Sequence, residues 1–264
     1  MKNIFNKDQY VMEDFMSTII KTTKEKNVLI MMSGGRDSFL SVCKMIALGY
    51  HVHLITYDNG CMSGTDNVNI LIKRIIERFG TDKVSNAGIH SIAQNVKPLL
   101  KTLLYEEPTS ICSKYPHLIF NQLICLACHS TMYLHSIAYC RANNITAIAE
   151  GAREQQGFFV ELPEMREQYT SLCQKYEIEL HMPVYNLSSD MDRKNELAEW
   201  EFLPKSYEPQ CWLGCPLLKA LTTDQRKDLE LYYEKEMRPL FDSMIDRLII
   251  KKKFIKQNET RNYI

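Results

Sequence analysis

The sequence predicts an α/β fold: a parallel twisted sheet of about five strands with helices on both faces, plus a C-terminal helical extension. Two observations carry that expectation. Short runs rich in Val, Ile and Leu alternate with longer stretches whose apolar residues recur at helical spacing. Glycine turns sit where such a run gives way to such a stretch, most clearly at Gly34-Gly35 and at Gly151. Strands alternating with helices imply parallel pairing through right-handed crossovers.

The elements follow in order. Apolar spacing from Asp8 to about Thr23 predicts a helix ahead of the first strand. Val28-Leu29-Ile30-Met31-Met32 reads as a buried strand that breaks at Ser33-Gly34-Gly35-Arg36-Asp37-Ser38, and Phe39 to Leu48 as a helix closed by Gly49. His51 to Tyr57 is strand-like, Asp58-Asn59-Gly60 is a turn, and Thr65 to Phe79 is a helix ending at Gly80. A third strand spans Val84 to Ile92, and a helix runs from Gln94 to about Tyr105. Glu106 to Pro116, with two prolines, is expected to be a loop or lid. A long helical region follows from about Leu118 to Asn143, and Ile145 to Glu150 forms the fourth strand. Beyond it, Glu161 to Lys175 should be helical and Ile178 to Val184 extended. Ser189 begins a helix with Asp192 as its capping acid, ending before Pro204. Thr223 to about Lys253 forms one or two helices, with Pro239 as a kink or break. The expected division is residues 1–216 as the main domain and 217–264 as the helical extension.

Composition narrows the function. The 264 residues carry 32 Lys+Arg against 32 Asp+Glu, so no global basic field draws in nucleic acid. The basic run from Arg247 to Lys256 reads either as an RNA contact or as a solvated helix end. No apolar stretch is expected to reach membrane-spanning length, and the first residues lack a signal-peptide core. The expectation is therefore a cytoplasmic protein with no membrane partner, whose nine cysteines are thiols or metal ligands rather than disulfides.

The turn from Ser33 to Ser38 is the strongest chemical signal. Glycines let backbone amides approach oxygen closely, the following helix N-terminus favours negative charge, and Ser33 and Ser38 add hydroxyls. Asp37 beside an anion calls for a divalent cation between them. All six residues resemble the SGGxDS loop of the PP-loop ATP pyrophosphatases, and differ from the GxxxxGK[ST] loop of kinases. The resemblance implies an adenine nucleotide α-hydrolase-like fold. It also implies ATP and Mg²⁺ held by Ser33, Gly34, Gly35, Asp37 and Ser38, with Asp37 and Ser38 catalytic. Arg36 fills the variable position of the motif. In that family a substrate oxygen attacks the α-phosphate, pyrophosphate leaves, and a nucleophile then displaces AMP.

Ligands of open parallel sheets sit beyond the carboxyl ends of the strands, so Tyr57, Asp58, Gly151 and Arg153 join the candidate nucleotide site. Asp58 lies about twenty residues past the glycine turn, where dinucleotide folds place a ribose-binding acid, and it equally suits a turn before Asn-Gly. Gly151 leaves room for adenine or phosphate, and Arg153 can neutralise a phosphate oxygen. Gly151-Ala152-Arg153-Glu154 stands where many thiolating relatives carry a Gly-His-x-x-Asp-like segment.

Cys125-x-x-Cys128 and Cys211-x-x-x-Cys215 form two short-spaced pairs, the usual pattern of a tetrahedral thiolate site. Four ligands would close a structural zinc site, and three would suit a 4Fe-4S cluster with an open position. Cys43, Cys140 and Cys173 fall on apolar helical faces and read as core. Cys61 and Cys112 are loop thiols, either exposed or mobile nucleophiles. Asp192 to Pro204 followed by Cys211 resembles a stretch of 7-cyano-7-deazaguanine synthases, and the CxxC with a distant cysteine resembles the tRNA 2-thiocytidine synthetase group. These resemblances imply adenylation of a nucleobase-like carbonyl followed by sulfur insertion, with Cys128 and Cys211 as catalytic sulfurs. The alternatives are an amide- or nitrile-forming ligase with structural zinc, and an adenine-nucleotide-binding regulator without turnover. A small-molecule heterocycle or tRNA is the expected substrate, with a sulfur-donor protein and a homodimer as further expected partners.

Overall fold

The computed structural model describes residues 26–96, 108–118, 120–156, 158–201, 205–213 and 221–261. The helix expected over Asp8 to Thr23 and most of the one expected over Gln94 to Tyr105 lie outside them. Five strands form a parallel sheet: β1 (Asn27–Met31), β2 (His51–Asp58), β4 (Val84–Ser91), β5 (Ala147–Ala149) and β6 (Glu179–His181), in the order β4-β2-β1-β5-β6. A separate antiparallel ribbon pairs β3 (Met62–Ser63) with β7 (Gln210–Cys211).

Helix α1 (Arg36–Ala47) links β1 to β2, and α2 (Val68–Phe79) links β2 to β4. The chain then crosses the sheet through α3 (Pro108–Lys114) and α4 (Phe120–Asn143) to enter β5 on the other side of β1. Strand order therefore reverses between β1 and β5, which is where ligands of such sheets bind. α3 occupies part of the expected loop, opening on Pro108, whose fixed φ suits a first helical turn. α5 (Pro163–Lys175) and α6 (Asp190–Glu199) follow, the latter capped by Ser189 as expected, with the Asp192 amide donating to its hydroxyl at 3.0 Å.

Period-two alternation divides the core. Val28 and Ile30 of β1 face a cluster with Phe39, Leu40, Leu71 and Ile75, so α1 and α2 cover that side. Leu29 and Met31 face the opposite cluster, built from α4, α5 and the C-terminal helices α7 (Thr223–Tyr232) and α8 (Arg238–Arg261). Helices thus cover both faces, as expected. Tyr233–Met237 makes a π-helical turn just ahead of Pro239, whose missing N–H disrupts regular α-helical bonding. One expectation fails: Leu123–Asn143 is long and apolar enough to cross a membrane. It is apolar because α4 packs between the sheet and the C-terminal helices, with Leu126, Leu134 and Ile137 fully buried.

Candidate active site

The turn after β1 opens on an unusual helix start. Gly35 is the extended N-cap of α1 and no side chain caps it, so first-turn amides remain free of an intramolecular side-chain acceptor. Ser33 Oγ instead accepts from the Gly35 amide at 3.2 Å and donates to Ser38 Oγ at 3.1 Å, while Ser38 Oγ donates to the Gly35 carbonyl at 3.0 Å. Gly34 has φ +82°, and residues 205–209 run across it: the Tyr207 amide donates to the Gly34 carbonyl at 2.9 Å. A Cβ on Gly34 would stand 2.9 Å from the Tyr207 carbonyl oxygen. Glycine is required there for both reasons.

Gly151 borders the cavity at the switch point, and it also lets α1 approach closely. A Cβ there would lie 2.5 Å from the Ser38 amide nitrogen and 2.7 Å from the Asp37 carbonyl carbon. The space beside Gly151 is filled by the first turn of α1, so this glycine lets β5 and α1 meet backbone to backbone at the switch point.

Asp37, 9% exposed, has three polar partners, of which Gln156 and Arg193 donate hydrogen bonds and Arg153 makes an ion pair. Gln156 Nε2 donates at 2.7 Å, Arg193 Nη1 lies 3.2 Å and Arg153 Nε 3.2 Å from the same oxygen, Oδ2. Both guanidinium groups also reach Asp190 Oδ1, at 3.2 Å from Arg193 and 3.3 Å from Arg153. Sequence reasoning gave Arg153 to a phosphate; the structure holds it against Asp37 and Asp190. It did not single out Arg193 or Gln156. The signal for Arg193 was its place in the first turn of a helix whose cap was recognised.

Around these groups lies a cavity of about 720 Å³, a size that suits a nucleotide. Ser33, Gly35, Asp37, Ser38, Arg193 and Glu208 line its polar end, whereas Met31, Ile55, Tyr57, Met62 and Met132 line an apolar end. Arg36 lines it as well, its side chain solvent-exposed. Tyr57 is buried, with its hydroxyl 2.7 Å from Ser136 Oγ. Asp58 Oδ1 accepts from the Gly60 amide at 2.8 Å, the geometry of a turn former. Three further carboxylates border the cavity. Glu150 accepts from Tyr133 at 2.6 Å and lies 3.2 Å from His129 Nε2. Burial pushes the Glu161 carboxyl up to about 8. Burial, then the neighbouring charge of Asp37, raises that of Glu208.

The thiols gather beside the apolar end. Asn59 Nδ2 donates to Cys128 Sγ at 3.3 Å and to Cys211 Sγ at 3.6 Å, while its Oδ1 accepts from the Cys61 amide at 2.8 Å. The Trp212 amide donates to the Cys61 carbonyl at 2.9 Å. Burial pushes the Cys128 thiol up to about 12 against the opposing effect of Asn59, and Cys211, Cys125 and Cys61 act on it electrostatically. Helix α4, the turn after β2 and the β3–β7 ribbon thus bring four cysteines into one neighbourhood.

The turn fits ATP and Mg²⁺ by its cradle of amides and hydroxyls and by the single carboxylate of Asp37. Zinc or an iron–sulfur cluster is another matter. Among the described residues no three His, Cys, Asp or Glu side chains converge as a metal site, and Cys215 lies outside them.

No protein-family model and no curated protein matches the chain. Among solved structures, a predicted subunit of a tRNA methyltransferase from Methanocaldococcus jannaschii is similar over 66% of this chain and 76% of its own, at 21% identity and a TM-score of 0.42. An NAD⁺ synthetase from Burkholderia pseudomallei shares 10% identity over 92% and 87%, with a TM-score of 0.36. An NMN synthetase from Francisella tularensis shares 12% over 93% of both chains, with a TM-score of 0.38. Likenesses this distant bear on no activity. The strand order and the turn at the switch point are those of an open parallel α/β sheet.

Proposed function

We propose that the protein is an ATP pyrophosphatase that adenylates a carbonyl oxygen on a nucleobase-like heterocycle and then exchanges that oxygen for sulfur. The observation that carries the reading is the Ser33–Ser38 turn at the reversal of strand order, opening on one cavity whose lining residues Met62 and His129 neighbour Cys211 and Cys128, the two thiols that share Asn59. The substrate oxygen attacks the α-phosphorus, and the bond to the bridging oxygen breaks with its electron pair leaving on pyrophosphate. Amides of the turn, Ser33 and Ser38 offset the charge that develops there, and Asp37 would hold a divalent cation that adds to this stabilisation. Hydrosulfide from the sulfur donor, bound near Cys128 and Cys211, then attacks the activated carbon and loses its proton, so that its sulfur remains as the thiocarbonyl when the carbon–oxygen bond to AMP breaks. AMP leaves with the former carbonyl oxygen.

Residues on the apolar wall hold the planar ring and exclude water, which would otherwise hydrolyse the adenylate. The test is incubation with Mg·ATP, a sulfide or persulfide donor and candidate heterocycles or tRNA. Pyrophosphate and AMP should appear in equal amounts together with a thiolated product. Release of orthophosphate, or no nucleotide turnover with any acceptor, would overturn the reading. Product formed with ammonium and not with sulfide would replace sulfur insertion by amide or nitrile formation.

A further inference from the structure

We infer that Arg193 is a pyrophosphate-binding residue that Asp37 holds in reserve, and that the site exchanges partners when nucleotide enters. The inference rests on the proposed pyrophosphatase reading and adds to it an order of binding.

Asp37 is the one carboxylate within the turn, yet three polar partners already engage it: Gln156, Arg153 and Arg193. A magnesium ion at Asp37 therefore competes with two guanidinium charges. In the ligand-free site the two arginines and the two carboxylates, Asp37 and Asp190, neutralise one another. Metal alone would strand buried cations, and free anion alone would strand buried carboxylate. Mg·pyrophosphate brings both signs together and satisfies both sets.

Arg193 is the arginine placed to move. It lines the cavity, and Arg153, 6% exposed, is not among the lining residues. Its side chain is 13% exposed, and its Nε is buried with no hydrogen-bond partner, a donor free to serve a ligand oxygen. Its counter-ion Asp190 is 66% exposed, so water can take over from Arg193 there at little cost. On binding, Arg193 swings from Asp37 to the phosphoryl oxygens, and Asp37 turns to the cation. Metal and pyrophosphate then favour each other's binding reciprocally.

The test compares wild type, Arg193→Gln and Asp190→Asn by calorimetry with Mg·ATP and with Mg·pyrophosphate, and by the paramagnetic resonance of free Mn²⁺ for metal alone. Wild type should bind Mg·ATP well and Mn²⁺ alone weakly. Arg193→Gln should have opposite signs in the two assays: about tenfold weaker for Mg·ATP and several-fold tighter for Mn²⁺ alone. Asp190→Asn, at an exposed position, should tighten metal-free pyrophosphate a few-fold and keeps the inference testable if the arginine variant does not fold. Arg193→Gln equal to wild type for both ligands, or Asp190→Asn without effect on pyrophosphate, would overturn the inference. Wild type that binds neither Mg·ATP nor Mg·pyrophosphate would instead overturn the pyrophosphatase reading itself.

Discussion

The two ends of the cavity are built in different ways. The phosphate end has a contiguous cradle: six residues from Ser33 to Ser38 form it, and the hydrogen bonds among them span at most five positions. The sulfur end is assembled from afar, with Asn59, Cys128 and Cys211 separated by 69 and 152 positions along the chain. A local site tolerates drift in the surrounding fold because one turn and one helix start fix its geometry. A distributed site depends on the packing of every element that delivers it. The strap of residues 205–209 joins the two, since it crosses Gly34 and then enters the strand that carries Cys211.

The sharpest way to break the phosphate end is Asp37→Asn. It removes an ion-pair partner shared by the buried Arg153 and the half-buried Arg193, leaving Asp190 paired with both, and should cost about 3–5 kcal/mol in denaturant unfolding. Pyrophosphate release should fall at least ~100-fold with it. Gly151→Ala tests the contact that seats the cradle on the sheet. Its methyl group would overlap backbone atoms, which cannot rotate away, so a loss of about 3 kcal/mol is expected, along with ATP binding. If that variant unfolds at the wild-type midpoint, the close approach of β5 to α1 is wrong.

At the sulfur end, Asn59→Ala removes the donor shared by Cys128 and Cys211 and the acceptor for the Cys61 amide. Thiolated product should fall about tenfold further than pyrophosphate release does. Equal losses in both would mean that the two ends are not functionally separable.

Glu161, which lines the cavity and accepts from the Arg153 amide, supplies a pH signature. Its carboxyl, ordinarily at 4.5, is raised to about 8 by burial. Between those values the native chain keeps a proton that the unfolded chain releases, so this group lowers stability as pH climbs from about 4.5 to about 8. Above that window its effect is constant. Glu161→Gln should lack this fall, and unfolding midpoints of the two proteins at pH 5 and pH 9 would reveal it. The smallest effect serves as a control: Thr222→Ala removes a capping box far from both ends, and should cost about 1 kcal/mol without altering ligand binding.

The difference between the ends also marks what could be read in advance. The Ser33–Ser38 turn, the alternation that places Val28 and Leu29 on opposite faces, and the Ser189 and Gly80 helix boundaries depend on neighbours within a few residues. Cys128 and Cys211 were legible as pairs with Cys125 and Cys215, but Asn59 as their hub was not, because nothing near it signals a partner so far along the chain. Gly151 and Arg153 were recognised from the sequence, but the packing of Gly151 against α1 and the pairing of Arg153 with Asp37 were not. Local sequence determined the strands, the helices and the phosphate cradle, since hydrogen bonding and hydrophobic periodicity are short-range. The pairing of Asp37 with Arg153 and Arg193, the gathering of the thiols and the enclosure of one cavity belong to the tertiary structure. Those contacts exist only after the crossover from β4 to β5 has brought remote segments together.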